Sequence, residues 1–110
     1  MNKLDEALID WYHDYLIELQ RCSKLRPGEA CTLAKSALML FIDFFFIEKE
    51  NIEYLFSMLE KFSQGGFIGQ RYLAFSSNRL FLQIIEEELE DKAPVPDEVR
   101  DFLTEPNFSV

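Results

Sequence analysis

Ala37–Glu50, ALMLFIDFFFIEKE, is the most apolar part of this 110-residue chain, yet Asp43 stands in its middle. A membrane segment, a core helix and a protein-binding surface are the three readings open to it. From Ala37 to Ile47 only Asp43 is charged, and as a helix that run covers roughly 16 Å at about 1.5 Å per residue. A bilayer core needs about 20 apolar residues and roughly 30 Å. Lys35 bounds the run upstream and Glu48-Lys49-Glu50 downstream, so no membrane span is expected.

The stretch belongs to a longer helical pattern, about Pro27 to Lys49. Its polar positions Ser36, Asp43 and Glu50 fall seven apart and nearly in line, with Thr32 close by. Asp43 is thus expected in a thin polar stripe, with apolar residues around most of the helix. An ordinary surface helix buries a band of about 100°. Either this helix is the centre of a bundle, or part of its apolar surface meets another subunit. Leu38, Phe41 and Phe45 are expected to face the bundle. Met39, Ile42 and Phe46 lie on other flanks and are the expected self-association surface of a homodimer.

Helical spacing continues on both sides. Leu4, Leu8, Trp11, Tyr15, Leu19 and Cys22 recur every three or four residues, marking an amphipathic first helix. Glu6, Asp10, Asp14 and Glu18 fall away from that face, and Asn2 with Asp5 reads as the N-terminal cap. Ser23 to Gly28 breaks the pattern, with Pro27 and Glu29 suited to a helix start. Asn51 is expected to cap a third helix with Ile52, Leu55, Phe56, Leu59 and Phe62 on its apolar face, ended by Gln64-Gly65-Gly66. Phe67 to Asp91 reads as helical, with a break at Ser76-Ser77-Asn78 or a loop over Phe67 to Phe75. Phe81, Ile85 and Leu89 mark its core side. After Ala93-Pro-Val-Pro, Asp97 is expected to cap a short helix to about Leu103, and residues 104–110 to form a loose tail. No strand pattern survives. The expected fold is all-α, a single-domain bundle of four to five mostly antiparallel helices.

Charge is spread unevenly. The net charge is −9, which disfavours nucleic acid and anionic membrane surfaces as ligands, because both need a basic footprint. Arg71 and Arg79 in the acid-free stretch 67–85 are the only support for a DNA-binding bundle. Residues 86–110 carry nine acids against two bases, so most of the acidity sits in the last quarter. Glu86, Glu87, Glu88, Glu90 and Asp91, with Asp97, Glu98 and Asp101 beyond the prolines, are the expected partner-binding residues. Acids at a helix C-terminus oppose the macrodipole, which sets them apart from ordinary solvated charge.

Chemical motifs are sparse. Glu6, Asp10 and His13 share a face of the first helix, and Asp10-x-x-His13 has the spacing of a metal-ligand pair in carboxylate-bridged bundles. Those sites use a second such pair, and the chain has one histidine. Cys22 faces the core side while His13 faces away, which separates a nucleophile from its base. Gly65-Gly66-x-x-Gly69 lacks the strand that precedes a phosphate-cradling loop. No catalytic residue, metal or cofactor is expected. Cys22 and Cys31 form no CxxC pair and read as small buried apolar residues of a reduced, cytoplasmic protein, with a disulfide between them as the alternative. The expected function is a non-enzymatic acidic binding protein that docks and neutralises a basic protein, such as an immunity protein or antitoxin against a nuclease toxin. The alternative is a structural or regulatory adaptor subunit that associates through the apolar second helix.

Overall fold

The computed structural model describes residues 2–22, 24–65, 78–90 and 93–104. Among the described residues five helices make up the bundle: α1 (Lys3–Arg21), α2 (Pro27–Phe44), α3 (Lys49–Ser63), α4 (Asn78–Leu89) and α5 (Asp97–Thr104). No strand occurs among the described residues. The expected all-α bundle is the fold. The tail after Thr104, the segment 66–77 with Arg71 and Gly69, and Asp91 lie outside the described residues.

α1 begins where Asn2 Oδ1 accepts the Asp5 N–H at 2.8 Å, satisfying one of the first orphan donors. Pro27 opens α2, and the Arg26 N–H donates to Glu29 Oε1 at 3.3 Å. α3 stops at Gly65, which takes φ 76, a left-handed position where a Cβ would be strained. α1 antiparallels α4: Lys3 reaches Glu87 near one end, and Trp11 Nε1 donates to Asn78 Oδ1 at 2.7 Å near the other. α1 and α3 run the same way, because Asp5 meets the start of α3. α2 packs on α1 and α3, and α5 packs on α4.

α1 is the central helix. It packs against α2, α3 and α4, and Ala7, Tyr12, Leu16 and Ile17 are buried in addition to the expected stripe. Trp11 anchors the core. Its ring lies 4.9 Å from Tyr15, 5.0 Å from Phe41, 5.3 Å from Phe81 and 5.9 Å from Phe102, so four helices meet on one indole. Stacked and edge-on aromatic pairs of this kind stabilise beyond their buried area. Tyr12 is fully buried and its hydroxyl donates to the Ala34 carbonyl at 2.8 Å.

Several expectations need correction. Asp14, expected to face away from the core, is buried, because a helix covered by three neighbours buries more than one stripe. α2 ends at Phe44, not Lys49. The chain passes through extended Phe45 (φ −129, ψ 148) and turns Ile47 inward. Glu50 therefore belongs to α3, and the polar line through Ser36 and Asp43 stops there. Phe46 leaves α2 with it. Glu48, not Asn51, occupies the cap position of α3, and Asn51 sits buried one turn inside. Phe56, placed on the apolar face of α3, is 38% exposed. Asp97 is the first residue of α5, and the Pro96 carbonyl accepts the Arg100 N–H. Cys31 is only half-buried, unlike Cys22, and the two form no disulfide.

Candidate protein-binding surface

The expected partner-binding acids fall on two packed helices. Glu86, Glu87 and Glu88 close α4, Glu90 follows it, and Asp97, Glu98 and Asp101 lie on α5; all are exposed. Arg100 of α5 approaches Glu86 of α4 at 3.9 Å, which ties the two acid-bearing segments together. Lys3 approaches Glu87 at 3.5 Å, which brings the start of α1 to the same place. The two halves differ electrostatically. Asp97 and Glu98 occupy the first turn of α5 and favour its dipole, whereas Glu86 to Glu90 crowd the C-terminus of α4 and oppose it. Glu90 also takes φ 52, a left-handed conformation where glycine is the ordinary choice.

The start of α3 reaches the same end of the bundle through Asp5. This carboxylate is fully buried. Its Oδ2 accepts the Glu48 N–H at 3.1 Å and the Asn51 Nδ2–H at 2.6 Å. It thereby joins the N-termini of two helices, whose positive ends both favour a carboxylate. Beside it, Glu6, Ile9, Asp10, Asn51 and Tyr54 line an open cleft of about 540 Å³ between α1 and α3. Burial, then the neighbouring charges of Glu6 and Asp14, push the Asp10 carboxyl above its ordinary range, while His13 works the other way. Sequence reading placed Glu6 and Asp10 on a solvated face and did not find this cleft. Their four-residue spacing was visible; the opposing wall from α3 was not.

The remaining expected sites fall elsewhere. Met39 and Phe44 of α2 are exposed, Ile42 is half-buried, and Phe46 in the α2–α3 connection is 85% exposed. Phe45 packs against the core, with Phe41 and Leu38 buried. His13 Nδ1 lies 3.8 Å from Asp14 Oδ1. Among the described residues no group of three or more His, Cys, Asp or Glu is placed to hold a metal ion. A second cavity, of about 250 Å³, lies at the turn between α1 and α2 and is lined in part by Leu19, Cys22, Cys31 and Phe62. Among the described residues no helix is long and apolar enough to cross a membrane.

No protein-family model, curated protein or solved structure matches this chain. A functional reading therefore rests on the surface itself.

Proposed function

We propose that this chain is a non-enzymatic acidic binding protein of the cytoplasm that docks and neutralises a basic protein partner, in the manner of an immunity protein or antitoxin against a nuclease toxin. The observation that carries this reading is the convergence of acids at one end of the bundle. The end of α4 and the start of α5 bring Glu86, Glu87, Glu88, Glu90, Asp97 and Glu98 beside the N-terminus of α1. A single-sign surface of this kind steers an oppositely charged protein and raises its association rate. Glu90 supports the reading further. It combines a left-handed backbone with an unfavourable position at a helix C-terminus, and such local conflicts cluster at functional surfaces.

The test is affinity capture with the wild type and with a variant in which Glu86, Glu87, Glu88, Glu90 and Asp101 become Gln or Asn. A basic protein held by the wild type at low salt, released near 0.5 M salt and lost by the variant is the expected result. Equal retention by both would return the acids to ordinary solvated surface.

A second reading has its own observation. Phe46 is 85% exposed in the α2–α3 connection, and Phe44 and Met39 of α2 are exposed as well, apolar surface of the sort that marks association sites. A regulatory or structural adaptor, or a homodimer, would use this patch in place of the acids. Binding that survives about 0.5 M salt, where screening shortens to a few Å, favours it.

A further inference from the structure

The cleft between α1 and α3 is built for a particular kind of positive group. Glu6 and Asp10 stand four residues apart on α1, which sets their Cβ atoms about 6 Å apart on one wall. Neither joins an ion pair or a side-chain hydrogen bond among the described residues. Lys3 pairs with Glu87 and Arg100 with Glu86. Burial first, and then the charges of Glu6 and Asp14, push the Asp10 carboxyl up, while His13 works the other way.

The facing wall adds an acceptor and an aromatic ring. Asn51 is 7% exposed and lines the cleft. Its amide must turn Nδ2 toward the Asp5 carboxylate, which accepts at 2.6 Å, so Oδ1 is the atom left over. No described residue is shown donating to that oxygen, and it is not one of the fully buried unpaired side-chain atoms, so it keeps access to the cleft. Tyr54, one turn further along α3, is 53% exposed and also lines the cleft. Ile9 supplies apolar surface to the same cleft.

A group that suits all of these must be positive, carry several N–H donors and present a flat face. A guanidinium has five N–H donors in a rigid plane, is weakly hydrated and stacks on aromatic rings, whereas an ammonium is a compact, strongly hydrated point charge. We infer that the α1–α3 cleft is the receptor for an arginine side chain of the basic partner. Glu6 and Asp10 take its charge, Asn51 Oδ1 accepts one N–H, and the Tyr54 ring lies against its face. This assignment rests on the reading of the protein as a binder of a basic protein, and it places one specific anchor point beside the broader acidic surface.

The experiment is an NMR titration of the whole chain with N-acetylarginine methylamide, with its lysine counterpart and with the uncharged citrulline counterpart. Saturable shifts centred on Glu6, Asp10, Asn51 and Tyr54 are expected with arginine. The lysine probe should bind about tenfold more weakly and the citrulline probe not at all. Asp10→Asn should weaken the arginine probe by about tenfold or more while the variant stays folded with an equal or higher Tm. No saturable shift up to about 50 mM, a concentration that reveals even weak single-site ligands, would overturn the assignment. So would an equal response to citrulline, or shifts centred on Glu86 to Glu90. A captured basic partner that binds wild type and Asp10→Asn equally would sink the cleft and leave the acidic surface standing. Specific arginine-probe binding without any captured partner would do the reverse.

Discussion

Asp5 and Asp10 lie five positions apart on α1 in different surroundings. Asp5 is fully buried, and its Oδ2 accepts two hydrogen bonds from the start of α3. Asp5→Ala removes the acceptor from the Glu48 N–H and the Asn51 amide, and buried donors left without partners cost about 1–3 kcal/mol each. The expected loss is about 2–4 kcal/mol of unfolding free energy, read as a lower urea midpoint with an unchanged slope. A loss below about 1 kcal/mol would mean that water replaces the carboxylate. Asp10 behaves differently. Its carboxyl is raised above the ordinary 3.8 by burial and by Glu6 and Asp14, so the folded chain holds this proton more tightly than the unfolded chain. Its favourable contribution is then complete below pH 3.8 and is lost as pH rises through the raised value. At neutral pH the ionised group opposes folding. Asp10→Asn should raise Tm at pH 7 and flatten the fall in stability on the alkaline side of pH 3.8; unchanged thermal melts from pH 4 to 7 would contradict this. A residue that destabilises the free protein yet faces an acidic cleft has the profile of a binding group.

At the scale of helices, the endings of α2 and α4 carry most of the information. α4 ends at Leu89 and Glu90 follows with φ 52. A left-handed residue with a Cβ costs roughly 1–2 kcal/mol, and glycine there returns part of the gain as lost chain entropy. Glu90→Gly should therefore stabilise by about 0.5–1 kcal/mol in chemical denaturation. Loss of stability would show that the glutamate side chain makes contacts that outweigh its backbone. α2 ends without glycine or proline. The physical cause is tertiary: Asp5 captures the Glu48 N–H, and Ile47 is drawn into the core at 4% exposure. Phe46 is left outside as a consequence. Phe46→Glu should change stability by no more than about 0.5 kcal/mol, as exposed substitutions do. If this patch joins two copies, light scattering of the wild type gives about 26 kDa, twice the 13.0 kDa chain, and the variant gives one chain. A wild type that stays monomeric at high concentration would remove the patch as a self-association surface.

Across the whole molecule, the acidic end is predicted to matter for rate more than for stability. Glu86, Glu87, Glu88 and Glu90 sit against the α4 dipole, and the pairs Lys3–Glu87 and Arg100–Glu86 are largely exposed, so their loss costs little. Converting these four and Asp101 to Gln or Asn should slow association with a basic partner and weaken its salt dependence, with Tm equal or higher. Asp97 and Glu98 are a different case, since they support the start of α5. Neutralising them should cost about 0.3–1 kcal/mol each. Stopped-flow association at two ionic strengths, with a melt of each variant, separates the two sets. What the sequence alone determined was the kind of element: the three- and four-residue apolar spacing of α1, α3 and α4, the Pro27 start, the Gly65 stop and the concentration of acid after residue 85 are local signals. Which helix is central was decided only by tertiary structure. The most apolar helix, α2, packs mainly on α1 and α3, while the more polar α1 packs on α2, α3 and α4 and takes the core position, because burial depends on how neighbours cover a face and not on its hydropathy alone. The end of α2, the burial of Asp14 and Asn51, and the cleft of Glu6, Asp10 and Tyr54 have the same origin. Each is made by residues distant in the chain, such as Asp5 and Asn51, whose meeting no local pattern encodes.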